Sequence, residues 1–333
     1  MIGKLFVITL GITGLLRAAP EKWIFDTDMG NDIDDAMALA IIHELQSRDV
    51  VELLAVTSSK DHPWSAPYID AVNTFYGRPD IPLGAVRKGA TTFEGKYLKV
   101  AKRKNGKGKL VYPHDLESGN DCMEAVALIR KTLAGQPDGS VSILQVGFFT
   151  NLVRLLDSQP DEFSPLAGEQ LIQKKVKQLG LMAGSFTPID GNKRYLEFNV
   201  KKDISSAREL AKRWPGKMVW SGFEIGMAVR YPTKSIEDDF GYVANHPVKE
   251  GYLAYCGLNG RNATFDLTTV LQMAYPDRGY FDLSEKGRVT VENDGFTSFV
   301  SGKGEHVFLK MSEKQAVQVE EAFVQMVSSP PRK

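Results

Sequence analysis

The 333-residue sequence is 43% hydrophobic and 10% aromatic, which is enough to bury the core of one large α/β domain or of two smaller ones. Its 41 basic residues equal its 41 acidic residues, so the overall charge gives no reason to expect nucleic acid or a membrane surface as a partner. Cys122 and Cys256 are the only cysteines. They could pair, but two cysteines are not a disulfide framework, and no Cys/His cluster indicates a zinc site.

The N-terminal segment has the pattern of an export signal. Lys4 gives a positive start, the apolar run LFVITLGITGLL follows, and LRAAP offers small residues for cleavage near Ala18. The run is too short to cross a bilayer comfortably, and no later segment is apolar for long enough. We therefore predict a signal peptide over residues 1–18 and an exported protein, periplasmic or extracellular, that is free of the membrane after cleavage.

Predicted strands and helices then alternate along the chain. Apolar β-type segments occur at residues 23–28, 51–59, 81–86, 141–147, 176–184 and 217–222. Amphipathic helical patterns lie between them, at residues 34–48, 65–77, 121–135, 151–159 and 203–214. This alternation predicts a single α/β domain over residues 22–328, with a mainly parallel open sheet covered by helices on both faces. Within it, residues 280–310 alternate like antiparallel strands and predict a small C-terminal β element.

The connection between the first strand and the first helix is strongly acidic. Five aspartates fall within ten residues of the stretch DTDMGNDIDDAMAL: Asp26, Asp28, Asp32, Asp34 and Asp35. In a parallel sheet, ligands bind beyond the carboxyl ends of the strands, which is where this connection lies. Helix capping accounts for one or two of the aspartates. A hard cation, which takes several carboxylate oxygens at once, accounts for the rest.

Two common acidic loops do not match this stretch. An EF-hand loop that began at Asp26 would have Gly30 at its fifth position and Met37 at its twelfth, where a bidentate Glu is required. A phosphoryl-transfer site of the haloacid dehalogenase type expects Thr or Val at Gly30. The stretch instead resembles DTDPGxDDAxAL, the signature of the inosine-uridine-preferring nucleoside hydrolases, with Met29 in place of Pro and two extra residues before the Asp pair.

Four later segments carry the same resemblance in matching order. They are VGFFTNLVRLL (146–156), LMAGSF (181–186), GNKRYLEFNVKKDISSA (191–207) and NATFDLTTVL (262–271), which resemble the GPLTN, MGG, EFN and HDxxAxL segments of the family. The resemblance implies a Rossmann-related nucleoside hydrolase-like fold. It also implies calcium-dependent hydrolysis of the N-glycosidic bond of a ribonucleoside or a related small ribosyl compound.

The resemblance also implies a role for individual residues. It places a calcium ion on the carboxylates of Asp28, Asp35 and Asp266 and on the backbone carbonyl of Thr150. It makes Asp28 and Asp34 the catalytic residues: Asp28 is the general base that activates water, and Asp34 binds a ribose hydroxyl beside the metal. Further ligands of the sugar would be Asn192, Glu197 and Asn199.

The part of the pattern that concerns the leaving group is less complete. Many family members have His before the last metal-binding Asp, but this chain has Phe265, which cannot donate a proton. His114 lies roughly where relatives carry a histidine near the base, and it is a candidate contact to the leaving group. Lys60 falls where the family has Gly-Asn. Three aromatic residues could stack on a base but are more typical of a core: Trp64, Phe149 and Trp220.

These departures leave two alternatives open. The same fold and metal site could act on a different sugar-type substrate, or the protein could bind ribose or another sugar without catalysis. The basic segment at residues 99–109 lacks interleaved aromatic residues and predicts a solvated loop. The resemblance leaves a homo-oligomer open, since relatives are commonly dimers or tetramers.

Overall fold

The computed structural model describes residues 19–332. The predicted signal peptide, residues 1–18, lies outside the described residues. Within the described range, no helix combines the length and the apolar character needed to cross a bilayer. Cys122 and Cys256 are both free, so the pairing that the sequence left open is not formed.

The described strands form one eleven-stranded sheet. In chain order they are β1 (Glu21–Thr27), β2 (Val51–Ser58), β3 (Leu83–Ala85), β4 (Met123–Glu124), β5 (Val141–Gln145), β6 (Val176–Met182), β7 (Met218–Ser221), β8 (Asp282–Leu283), β9 (Gly287–Val291), β10 (Thr297–Ser301) and β11 (His306–Lys310). Their order in the sheet is β10-β9-β11-β7-β6-β5-β1-β2-β3-β4, and β8 pairs with β11. In sheet order, every neighbouring pair between β4 at one edge and β11 is parallel. The strands β8, β9 and β10 pair with their neighbours in the antiparallel direction.

Helices cover both faces of this sheet. They are α1 (Asp34–Ser47), α2 (Ser65–Phe75), α3 (Ala125–Ala134), α4 (Thr150–Asp157), α5 (Gly168–Lys175), α6 (Phe198–Lys202), α7 (Ile204–Arg213), α8 (Phe223–Ala228), α9 (Thr233–Asp238), α10 (Pro247–Cys256), α11 (Phe265–Ala274) and α12 (Glu313–Val327). Successive side chains of a strand point to opposite faces. Trp23 and Phe25 accordingly join the core under α1, α2, α11 and α12, while Ile24 joins the core under α3, α4, α5 and α7.

The predicted fold class is confirmed, since each predicted strand and helix of residues 23–222 has a counterpart in the structure. The C-terminal β element is also present, and β9 and β10 form the expected antiparallel pair. β11 differs from the expectation, because it enters the sheet between β7 and β9 and runs parallel to β7. Alternating hydrophobicity shows which side of a strand is buried, but not which strand is its neighbour.

The strand order reverses at β1, which has β2 on one side and β5 on the other. Such a reversal opens a crevice at the carboxyl ends of the strands, where open α/β sheets bind ligands. Gly147, just after β5, brings three strand ends close together. A Cβ atom at Gly147 would lie 2.5 Å from the backbone nitrogen of Asp28 and 2.6 Å from Ser59 Oγ. The residues that follow β1, β2 and β5 therefore meet in one place.

The basic segment at residues 99–109 begins against α2 and α10. It contains a 3₁₀ turn, Leu98–Lys102, and a β-bridge between Lys104 and Leu110. Its lysines are exposed. Arg103 forms an ion pair with Glu250 of α10. This ion pair ties the segment to α10.

Candidate active site

A cavity of about 290 Å³ opens at the crevice beside β1. One wall is polar and carries Asp28, Asn31, Asp32, Asp34, Glu197, Asn199 and Asp266. The first four come from the loop after β1 and the start of α1, and Asp266 comes from the start of α11. Acidic segments that are far apart in the sequence thus meet around one cavity.

Four carboxyl groups of this region form a tight cluster. Asp32, Asp34, Asp35 and Asp266 each offer an oxygen atom within 4.8 Å of the other three. Asp34 and Asp35 stand in the first turn of α1, and Asp266 stands in the first turn of α11. The backbone nitrogen of Asp266 donates to Asp34 Oδ2 over 3.1 Å. Two helix N-termini therefore face the cluster, and their dipoles partly offset its negative charge.

The cluster lacks enough protein donors for its oxygens. Asp34 Oδ1 and Asp35 Oδ2 are buried without a hydrogen-bond partner in the protein. Burial raises the pKa of Asp28 to about 7 and that of Asp34 to about 6, and nearby carboxyl groups add to both effects. Burial also raises the pKa values of Asp32, Asp35 and Asp266 well above the ordinary range. Hard divalent cations take several carboxylate oxygens, so this donor set fits a calcium-type ion.

Asp28 lines the cavity but is not one of the four clustered carboxyl groups. Asn31 Nδ2 donates a hydrogen bond to Asp28 Oδ2. Lys60 Nζ donates to Asn31 Oδ1, and the Lys60 side chain is almost fully buried. Burial lowers the pKa of Lys60 to about 8, although Asp28 and Asp35 oppose this shift. The ammonium group of Lys60 thus lies close to Asp28. Lys60 is the residue that stands where the family pattern has Gly-Asn.

Asp26 and Thr27 support the acidic loop from below the cavity lining. Asp26 Oδ1 accepts hydrogen bonds from Thr57 Oγ1 at 2.5 Å and from Asn151 Nδ2 at 2.7 Å. Thr27 Oγ1 donates to Asp35 Oδ1. Asp26 therefore joins β1 to the ends of β2 and α4.

Glu197 and Asn199 lie at the same cavity, where the resemblance places sugar ligands. The Glu197 carboxylate caps α6 and accepts hydrogen bonds from three backbone N–H groups, at 2.8 Å from Asn199 and 3.1 Å from Val200 and Gly184. Burial raises the pKa of Glu197 to about 7 in spite of these bonds. Asn199 Nδ2 donates to Val146 O and Met182 O, which orients its side chain.

Four predicted site residues have side chains outside the cavity lining: Asp35, which belongs to the carboxyl cluster behind it, and Asn192, His114 and Thr150. Asn192 is exposed in a turn, where its Oδ1 accepts from Arg194 N at 2.9 Å. His114 Nδ1 and Nε2 contact the carbonyl oxygens of Leu116 and Ala101, so both ring nitrogens are engaged. Thr150 Oγ1 donates to Asp203 Oδ2 at 2.8 Å.

The other wall of the cavity is mainly aromatic. Five rings contribute to it: Phe93, Phe198, Phe223, Tyr255 and Phe265. The rings of Phe223 and Phe265 stack with centroids 5.1 Å apart. Phe93 and Phe198 are 45% and 41% exposed, which places them at the open side. The candidates Trp64, Phe149 and Trp220 do not line the cavity, and Phe149 and Trp220 are core residues.

Sequence reasoning assigned no role to Asp32 or to four of the five aromatic rings. The sequence did contain a sign of Asp32. The acidic stretch has two more residues than the family pattern, and Asp32 is the carboxylate that this insertion adds. The rings carry no such signal. Phe93 lies in an irregular segment, and Tyr255 lies near the end of α10, so neither belongs to a motif.

Comparisons with solved structures agree with this architecture. The inosine-uridine preferring nucleoside hydrolase from Bacillus anthracis has a TM-score of 0.68 and 15% identity over 92% of this chain and 99% of its own. The purine-preferring ribonucleoside hydrolase from Gardnerella vaginalis has a TM-score of 0.67 and 16% identity over 92% of this chain and 98% of its own. At such identities the likeness establishes the fold.

A sequence relative is an uncharacterized protein of Schizosaccharomyces pombe, which is 28% identical over 204 residues. The match spans 56% of this chain and 56% of that relative, so the chain covers little more than half of the curated relative. The family model for inosine-uridine preferring nucleoside hydrolases matches residues 23–322. By this match over nearly the whole chain, the protein belongs to the inosine-uridine preferring nucleoside hydrolase family.

Proposed function

We propose that this protein hydrolyses the N-glycosidic bond of a ribonucleoside or a related ribosyl compound, with calcium as its cofactor. One observation supports the proposal above all others. Asp28, Glu197 and Asn199 line the same cavity as the carboxyl cluster, so a base, sugar ligands and a cation site adjoin one another. Relatives with the same fold are described as acting on inosine, uridine and purine ribonucleosides.

The proposed cation ligands are Asp28, Asp35, Asp266 and the backbone carbonyl of Thr150. Asp32 joins this set as a new candidate, since its carboxyl group belongs to the cluster. A bound calcium ion would hold a sugar diol and a water molecule together and would lower the pKa of that water. The buried Asp35 Oδ2 that lacks a protein partner supports this assignment, and the equally unpartnered Asp34 Oδ1 is free to accept from the sugar.

The protein residues perform the remaining steps. Asp28 accepts the proton of the attacking water, because its carboxyl group lines the cavity beside the proposed cation site. Asp34 accepts a hydrogen bond from a ribose hydroxyl. Glu197 and Asn199 hold other hydroxyls in fixed positions. The surrounding carboxylates stabilise the positive charge that develops at C1′, and water displaces the leaving group directly.

Release of free ribose tests this proposal. The mature protein would be incubated with a panel of nucleosides and with p-nitrophenyl β-D-ribofuranoside, with calcium or with a chelator. We expect ribose to appear with calcium, to cease with the chelator, and to return when calcium is restored. Binding of ribose without cleavage of any compound would favour the sugar-binding alternative. Cleavage that is unaffected by the chelator would contradict the cofactor assignment.

A further inference from the structure

The cavity contains no basic side chain that could protonate a leaving group. Among the described residues that line it, none is His, Lys or Arg. Lys60 is close, but its ammonium group donates to Asn31 and packs on the Phe93 ring, 3.6 Å from the centroid. His114 has both ring nitrogens engaged by carbonyl oxygens. Neither residue is placed to give a proton to a bound nucleobase.

The remaining polar groups of the lining are engaged in other contacts, and the aspartates are assigned to the cation, the water and the ribose. Glu197 accepts three backbone hydrogen bonds, so its oxygens already act as acceptors. Tyr255 is half-buried, and Asp32 and Asp34 are charged groups near it. Loss of its proton would place a phenolate beside carboxylates, which like-charge repulsion disfavours. Unless solvent water supplies the proton, a neutral nucleobase would leave this cavity as an anion.

The same cavity is well suited to a positive ligand. Its polar wall has five carboxyl groups, those of Asp28, Asp32, Asp34, Glu197 and Asp266. One divalent ion balances the charge of two carboxylates, so the acidic groups exceed the charge of a single calcium ion. Its other wall is mainly aromatic, and aromatic faces attract cations. Lysine ammonium groups already lie over Phe93, Tyr255 and Phe198, which leaves the rings of Phe223 and Phe265 for a positive ligand. Both walls therefore favour a substrate with a positive charge.

We propose that the preferred substrates are ribosyl compounds whose leaving group carries a permanent positive charge, such as N-ribosylpyridinium compounds or N-methylated purine nucleosides. This inference rests on the proposed function. When the C1′–N bond breaks, its electron pair passes to the ring nitrogen and neutralises the positive heterocycle. The water oxygen bonds to C1′, and the water proton passes to Asp28 and then to solvent. No proton has to reach the leaving group.

The pair of inosine and 7-methylinosine tests the inference, since the two compounds differ by one methyl group and one positive charge. General acid catalysis contributes about 100-fold to 10,000-fold where an enzyme provides it. We therefore expect kcat/KM for 7-methylinosine to exceed that for inosine by about 100-fold or more. The cation 1-methylnicotinamide should also inhibit hydrolysis of p-nitrophenyl ribofuranoside at lower concentration than neutral nicotinamide does.

Two variants of Phe265 separate the missing proton donor from the greater intrinsic reactivity of the methylated compound. Phe265→His supplies a donor beside the cavity, so inosine cleavage should rise about 10-fold or more while 7-methylinosine cleavage does not rise. Phe265→Leu removes the ring without adding a donor, so inosine cleavage should not rise. It should also weaken inhibition by 1-methylnicotinamide, because one cation-binding ring is lost.

The outcomes distinguish this inference from the function on which it rests. Equal kcat/KM values for inosine and 7-methylinosine would overturn the inference and leave ribosyl hydrolysis intact. A Tyr255→Phe variant that lost only inosine cleavage would also overturn it, because Tyr255 would then be the proton donor. If neither nucleoside nor p-nitrophenyl ribofuranoside were cleaved with calcium, the proposed function itself would fail.

Discussion

Asp28 differs from the other acidic residues of its loop in its surroundings. It lines the cavity and accepts a hydrogen bond from Asn31, but it stands apart from the four clustered carboxyl groups. Asp35 belongs to that cluster, and one of its oxygens is buried without a partner. Under the proposed function the two residues therefore differ in their tasks: Asp28 accepts a proton in addition to contacting the cation, whereas Asp35 only holds the cation.

Substitution of each residue should separate these tasks. Asp28→Asn keeps the size of the side chain but cannot accept the proton, so kcat should fall by about 100-fold or more while substrate binding is partly retained. Asp35→Ala should lose both calcium binding and activity. Calorimetric titration with calcium and steady-state kinetics measure the two effects. Asp80→Ala, at an exposed aspartate, serves as the control that keeps both properties. Near-normal kcat in Asp28→Asn would contradict its role as the base.

Sequence alone predicted the residues that belong to dense motifs. The acidic loop after β1 and the EFN segment led directly to Asp28, Asp34, Glu197 and Asn199, all of which line the cavity. The position of Asn192 could not be predicted in the same way, because its turn is set by a local hydrogen bond to the backbone of Arg194.

At the scale of elements, the site depends on three strand ends that meet beyond β1. Gly147 permits this approach, since a Cβ atom there would press on the backbone nitrogen of Asp28 and on Ser59. The loop after β5 and the loop that carries the proposed base are therefore packed without spare space. Any added atom at Gly147 must shift one of them.

Gly147→Ala should reduce activity through this displacement of Asp28. A shift of about 1 Å in a catalytic group costs about 100-fold in rate, and we expect a loss of this size in kcat/KM. Gly106→Ala provides a matched control, because a Cβ atom at Gly106 meets nothing within 4 Å. Kinetics and thermal unfolding of both variants check the prediction. Unchanged activity in Gly147→Ala would show that the contact is not required.

The regular elements were predictable because strands and helices of residues 23–222 alternate with clear periodicity. The position of β11 was not predictable, because its partners β7 and β9 are chosen by long-range packing. The aromatic wall shows the same limit. Phe198, Phe223 and Phe265 each begin a helix, and only the assembled fold brings these helix starts together.

At the scale of the whole molecule, the buried carboxyl groups link stability to pH and, under the proposed function, to calcium. In the calcium-free folded protein, the pKa values of Asp28 and Asp34 are raised to about 7 and about 6. Above the ordinary pKa of an aspartate, the unfolded chain has released these protons, whereas the folded protein still holds them. The calcium-free form therefore gains stability from these groups as pH falls through 7. Burial lowers the pKa values of His43 and His246 to about 3, so these residues act in the opposite direction. The unfolded chain binds protons on them as pH falls below 6.5 and the folded protein does not, so stability is lost.

A comparison with and without calcium at each pH removes the contribution of the histidines. Protons compete with calcium for the carboxylates, so the rise in Tm that saturating calcium produces should be about twofold larger at pH 8 than at pH 5. Differential scanning calorimetry at both values measures this rise. Asp35→Ala should show little rise at either pH. A rise that was equal or larger at pH 5 would contradict the assignment of these carboxylates to the cation site.

The interior place of β11 bears on the order in which this chain acquires structure. Its pairing partner β7 ends at Ser221, whereas β11 begins at His306, so β7 keeps an open edge until nearly the whole polypeptide has been synthesised. Unpaired edges recruit other chains, and contacts between residues far apart in sequence form slowly. A truncated product that ends before His306 would therefore expose an aggregation-prone edge. During synthesis and refolding, aggregation should therefore be strongest before β11 has paired with β7.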